Sequence, residues 1–116
     1  MLTMGQGAAI QDPAIVTSTF PLNHTYACIL FDTGAERSFV SNKFEHLLKQ
    51  QPQQLNETFT VEMANGKTES TREIYIGCTL TRNQHVFRID LMSVSIRSFD
   101  VIIGMQWLSP HHAEIM

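Results

Sequence analysis

The sequence predicts an all-β domain, a sandwich or barrel of short strands with one or two short helices. Two observations lead there. Apolar and β-branched residues alternate over several short segments, and Gly, Pro and Asn clusters separate those segments. A third observation bounds the size. The 116 residues make one domain with a modest core, and 43% hydrophobic with 16% charged residues is the balance of a soluble globular chain.

Residues 1–13 are rich in Gly, Gln and Ala without periodicity and read as a loose leader or linker. From Ala14 the pattern changes. Ala14–Phe20 is β-branched and predicts a strand, Pro21–Asn23 a turn, and Thr25–Phe31 a second strand apolar enough to be buried on both faces. Asp32–Arg37 reads as a loop, followed by a short apolar piece at Ser38–Val40. Asn42 as a cap, Glu45 three residues on, and Phe44, Leu47 and Leu48 on one face predict a helix that ends before Pro52. Thr58–Met63 is a strand, and Asn65-Gly66 is a tight hairpin turn of two residues that tolerate positive φ. In the returning strand Ile74, Ile76, Cys78 and Leu80 are expected to point one way. Thr81–Gln84 turns the chain, and Phe87, Ile89 and Leu91 alternate again. Val101–Ile103, closed by Gly104, is a continuous apolar run of the kind that marks a buried strand. A helix starts at Met105–Leu108, and Pro110 is expected to limit it.

Several function classes recede. The net charge is −3 and no basic stretch exists to neutralise phosphates, so direct nucleic-acid binding is not expected. No apolar run is long enough to span a bilayer, and the first residues lack the charged start and apolar core of a signal peptide. Five histidines show no metal-ligand spacing and there is no Cys-x-x-Cys, so neither metal nor cofactor is expected. Gly66-Lys67 lacks the upstream glycine of a phosphate loop. Ser38 and Ser41 have no convincing partner base, and Trp107 reads as a core anchor. Cys28 and Cys78 lie in strand-like apolar segments and read as reduced core residues of an intracellular protein rather than a disulfide.

One stretch asks for more. At Ile29–Ser41, ILFDTGAERSFVS, an apolar strand delivers a carboxylate directly into Asp32-Thr33-Gly34. Desolvating a carboxylate is costly unless it is paired or hydrogen-bonded, so the position needs a structural partner or a chemical use. Asp and Gly are also ordinary turn residues, and the tripeptide alone decides nothing. The chemical use would place Asp32 at the end of a rigid strand, let the Thr33 hydroxyl bond across the loop, and let Gly34 bring the backbone close to the carboxylate.

Four segments together resemble the retroviral-type aspartic proteases, most closely those in polyproteins of plant gypsy-type LTR retrotransposons. Ile29–Ser41 resembles the active-site loop. Val61–Gly66 (VEMANG) resembles the flap, the hairpin that closes over substrate. Phe87–Val94 (FRIDLMSV) resembles the strand after the flap, and Phe99–Ile115 (FDVIIGMQWLSPHHAEI) the apolar-apolar-Gly signature with its following helix. The resemblance implies a single-lobe acid-protease (retropepsin-like) β barrel over residues 14–116, shortened at its C-terminus, completed as a homodimer. It implies catalytic Asp32, Thr33 and Gly34, and substrate contacts from Ala35, Glu36, Arg37, Met63, Ala64, Asn65 and Gly66. Ile102, Ile103 and Gly104 would support the active-site loop. The partners implied are a second copy of the chain and an extended peptide or polyprotein, and the location is the cytoplasm or a virus-like particle.

The chain carries four aspartates, and only Asp32 is followed by Thr-Gly. Asp12 lies in the leader, Asp90 reads as a solvated strand face, and Asp100 as a turn or hydrogen-bonding residue. A carboxylate pair is therefore expected only across a twofold axis. Where many relatives have Gly-Met-Asp-Trp-Leu, this chain has Gln106, which is expected to alter local hydrogen bonding and lower stability. The alternative expectation is a decayed or recruited copy that serves as a dimerisation or peptide-binding module.

Overall fold

A computed structural model describes residues 16–63 and 66–115. Its strands are β1 (Val16–Leu22), β2 (Thr25–Phe31), β3 (Phe39–Ser41), β4 (Gln53–Glu62), β5 (Thr68–Arg82), β6 (His85–Val94) and β7 (Val101–Ile103), and helix α1 (Met105–Ile115) follows. The strand order is β1-β2-β7-β3-β6-β5-β4, and Leu22 of β1 pairs with Leu80 of β5. Six strands thus close into a barrel, with β4 laid on β5 outside the ring. This is the all-β single lobe that the sequence predicts.

Two apolar clusters organise the interior. The barrel cluster includes Leu22, Ile29, Phe31, Val40, Leu80, Leu91, Val101, Ile103, Trp107 and Leu108, all buried. The second cluster lies under β4 and gathers Leu30, Ala35, Phe39, Val61, Met63, Met92 and Ile102, with Phe59 and Ile74 packed against it. Successive residues of a strand point to opposite faces, so Ile29 and Phe31 serve the barrel while Leu30 serves the second cluster. The same division separates Ile103 from Ile102. The short apolar runs of β2 and β7 are therefore buried on both faces only where two clusters flank them. Tyr26 is 72% exposed, and Cys28 also faces solvent. Expected burial of the whole β2 strand and of both cysteines is corrected accordingly, because the first half of β2 has no layer outside it. Cys28 and Cys78 are both free thiols, and burial pushes the Cys78 thiol up to about 11.

Other elements differ from expectation in instructive ways. β1 runs on through Pro21 to Leu22, and the turn is Asn23-His24 at φ 48° and 70°. Asn83-Gln84 repeats the device at φ 50° and 67°. Two positive φ values in a two-residue connection match the twist of the strands they join. The predicted helix after Asn42 is a single 3-10 turn, Glu45–Leu48, with no side-chain cap at its start. The Asn42 and Glu45 side chains are drawn to β6 instead, where Ser93 Oγ lies 2.8 Å from Asn42 Oδ1 and 2.6 Å from Glu45 Oε2. The Tyr75 hydroxyl donates to the same Glu45 oxygen at 3.0 Å; desolvation, then that carboxylate, raise the phenol to about 12.

β5 does not alternate evenly. Gly77 sits at φ 72° in a register shift between Tyr75 and Cys78, and its N–H donates to Asp90 Oδ1 at 2.8 Å. This bulge moves Tyr75, Cys78 and Leu80 to the barrel face and leaves Ile74 on the other, so Ile74 does not share a face with Cys78. Asp90 is thus half-exposed as expected, with a bulge to stabilise. Helix α1 continues through Pro110 to Ile115, although the proline lacks an N–H to donate. Aromatic packing holds it: His111 stacks on Trp107 at 4.1 Å between centroids, and Phe87 meets Trp107 edge-on at 5.5 Å. Trp107 Nε1 also donates to Arg88 O at 2.8 Å, so the predicted core anchor is one.

Candidate active site

The strand β2 ends at Phe31, and the chain turns at once. Asp32 donates its N–H to Ile103 O at 2.9 Å, continuing the parallel β2–β7 ladder by one residue. Its carbonyl accepts the Ala35 N–H at 3.1 Å, which closes a four-residue turn over Thr33 and Gly34. Its carboxylate Oδ1 accepts the Gly34 N–H at 2.8 Å. The side chain is fully buried in the lobe, and a charge-assisted bond to a backbone amide helps to offset that desolvation. Thr33 and Gly34 are exposed on the open face. No hydrogen bond of the Thr33 hydroxyl across the loop is seen among the described residues, contrary to expectation.

The rest of the loop is fastened to the segment after β7. Met105 N–H donates to Ala35 O and Gln106 N–H to Glu36 O, each at 2.8 Å. The first amides of a helix have no partner within it, and here the loop carbonyls supply one. Gly104 makes this approach feasible. A Cβ at that position would lie 2.3 Å from Arg37 O and 2.6 Å from Ala35 O. The apolar-apolar-Gly signature thus has a direct physical reason: two buried residues for the two clusters, then a gap for the loop backbone. Ile102 shares a cluster with Ala35, the Ile103 carbonyl accepts from Asp32, and Gly104 lies against the loop carbonyls.

Sequence reasoning missed Ser38. The residue is buried; its Oγ accepts the Gly104 N–H at 3.1 Å and donates to Gln106 Oε1 at 3.3 Å. Gln106 therefore has a defined partner. Ser41 ties the segment after β6 instead, donating to Ile96 O at 3.1 Å.

The β4–β5 hairpin forms the other wall. Val61 and Met63 are buried in the cluster that contains Ala35 and Phe39. Beyond Glu62 the hairpin closes with Met63 N–H to Lys67 O at 2.8 Å and Gly66 N–H to Met63 O at 3.0 Å, with Gly66 at φ 86°. Ala64 and Asn65 themselves lie outside the described residues. Near its base β4 leaves register with β5 between Gln54 and Phe59, and Arg72 bridges the irregularity to Leu55 O, Asn56 O and Thr58 Oγ1. Between loop and hairpin lies a cavity of about 250 Å³ lined by Glu36, Arg37, Phe39, Phe59, Thr60, Val61 and Glu62.

The other aspartates in the described residues are engaged elsewhere. Asp100 Oδ2 accepts the Cys28 N–H at 2.8 Å, bonding as expected, and Asp90 serves the Gly77 bulge. Asp12 lies outside the described residues. One lobe thus brings one strand-end aspartate to a loop with an exposed tip.

A closed six-stranded barrel with an Asp-Thr-Gly turn fastened over a buried Ile-Ile-Gly strand defines an acid-protease lobe. Comparison with known proteins agrees. A family model described as retroviral aspartyl protease matches residues 2–116, and the chain belongs to that family. In fold it is similar to the EIAV protease solved in complex with the inhibitor HBY-793, with a TM-score of 0.67 at 18% identity over 90% of this chain and 94% of that one. It is also similar to the retroviral protease-like domain of Ddi1 from Leishmania major, with a TM-score of 0.59 at 11% identity over 87% of this chain and 80% of that one. No curated protein sequence matches it.

Proposed function

We propose that the chain is an aspartic endopeptidase that works as a homodimer, with two Asp32 carboxyls facing each other across a twofold axis. The observation that carries this reading is the Asp32 turn itself, intact in its Asp-Thr-Gly and hydrogen-bonded to Ile103 below and to Gly34 within. As in aspartic proteases generally, two close carboxyls cannot both ionise. One then acts as base on a water while the protonated mate polarises the scissile carbonyl. Glu36, Arg37 and the hairpin of Met63–Gly66 contact an extended peptide, and hairpin closure excludes water. The resemblance of four segments to plant gypsy-type elements supports a retrotransposon polyprotein as substrate, processed in the cytoplasm or a virus-like particle.

The test uses Asp32→Asn, which keeps the side chain's size but cannot act as a base. The variant alone folds, dimerises and does not cleave. Unfolded with an equal amount of wild type and refolded, it pairs at random, so about a quarter of the dimers carry two aspartates. Assayed well above the dissociation constant, activity falls to about a quarter of the same total amount of wild type. A fall to only about a half places the chemistry within one chain and overturns the shared site. The pH profile is bell-shaped, with both limbs belonging to the pair.

A second reading has support in the fold likeness to a protease-like domain of Ddi1, and in the departure at Gln106. The lobe would then be a decayed or recruited module for dimerisation or peptide binding. Under it the wild-type protein binds extended peptides and cuts none.

A further inference from the structure

The cavity between the loop and the hairpin has a chemistry of its own. Its floor is apolar: Phe39 and Val61 are buried, and Phe59 is half-buried beside them. Its rim is charged. Glu36 and Glu62 are exposed, and neither carboxylate forms an ion pair among the described residues. Arg37 is the one cation of the lining, and its guanidinium rests over the Phe59 ring, 5.6 Å from the centroid. At about 250 Å³ the space is smaller than the usual pocket for a drug-sized ligand, about 300–1,000 Å³, and suits one side chain.

The geometry points to a lysine side chain of the bound peptide as the occupant of this cavity. The assignment rests on the proposal that this face is a peptide cleft, and it needs no catalysis. A lysine lays a four-carbon stem on apolar surface and keeps a compact, hydrated ammonium at the rim. Here the stem covers Phe39 and Val61 while the ammonium reaches Glu62 and Glu36. Two carboxylates against one guanidinium leave the rim net negative, which disfavours an acidic side chain. A purely apolar residue would fill the floor and leave the rim's net negative charge unanswered.

Binding to the Asp32→Asn protein separates this assignment from cleavage. Peptides identical except at one scanned position carry lysine, norleucine or glutamate there, and affinities are measured by calorimetry. At one position lysine binds about fivefold tighter than norleucine, the scale of an exposed charge pair, and glutamate binds weakest. Adding Glu62→Gln brings the lysine-to-norleucine ratio toward one, and so does high salt. Lysine binding no better than norleucine at every position overturns the cavity assignment and leaves the cleft standing. A lysine preference in Asp32→Asn, beside wild-type protein that cuts none of the peptides, overturns the protease and leaves the cavity. Absence of binding by all peptides overturns both.

Discussion

The Asp32 loop and the β4–β5 hairpin face one another across the cavity, yet they are held in opposite ways. The loop is fastened by residues far away in sequence: Ile103, Met105 and Gln106 all bond its backbone, and Gly104 lies close under it. The hairpin's backbone bonds run between its own two strands, interrupted by a bulge that a single exposed arginine bridges, and only side chains such as Val61 and Met63 fasten it to the cluster below. Many independent constraints fix a group within the fraction of an ångström that proton transfer needs. A two-stranded ribbon with a break near its base has fewer such constraints and bends more readily. The difference teaches that position is stored in one wall and compliance in the other.

Glycine substitution breaks the comparison most strongly. Gly104→Ala drives a methyl into two carbonyl oxygens of the loop, and neither is the end of a flexible side chain. The expected loss is about 3–5 kcal/mol, seen in urea denaturation at fixed protomer concentration, with cleavage abolished. Gly66→Ala meets nothing within 4 Å and suffers only from φ 86°, so it loses about 1 kcal/mol. Equal losses at the two sites would mean the loop is as compliant as the hairpin.

A smaller effect comes from Ser38→Ala, which strips the buried Gly104 N–H of its acceptor. The expected cost is about 1–3 kcal/mol in the same assay. Cleavage falls with it because the loop above Gly104 loosens. An unchanged denaturation midpoint would remove Ser38 from the support of the loop.

Gln106→Asp has the smallest expected effect and the opposite sign. Gln106 is the second residue of α1, where a carboxylate meets the positive end of the helix, and its side chain already accepts from Ser38. The variant gains about 0.5 kcal/mol and retains cleavage. A lower thermal midpoint would show that this chain has repacked around glutamine.

Much of this contrast could be read before the structure, and the exceptions share a cause. Asp-Thr-Gly at the end of an apolar strand, Ile-Ile-Gly and Asn-Gly are local patterns with local physical meaning. Ser38 was illegible because its partners, Gly104 and Gln106, lie 66 and 68 residues away, and a serine after a loop carries no mark of that. The 3-10 turn was misread as a helix because Asn42 and Glu45 look like a cap, while β6 competes for both side chains. The Gly77 bulge did leave a signal, an isolated glycine within an alternating strand, and strict alternation at Ile74 and Ile76 was the wrong inference from it.

The parallel pairing of β2 with β7 also sets a schedule. Ile29 pairs with Val101, so the chain grows by 72 residues from one partner to the other (101 − 29). At roughly 5–20 residues per second, a ribosome needs about 4–14 s to cover that distance. For nearly all of that interval Asp32 has been made but has no Ile103 to bond, no Gly104 to rest on and no helix amides to hold the loop. The loop is fastened by residues about seventy positions further along the chain, so the site forms only once Gln106 has been made. Until those residues emerge, the Asp32 turn therefore lacks the contacts that give it its shape.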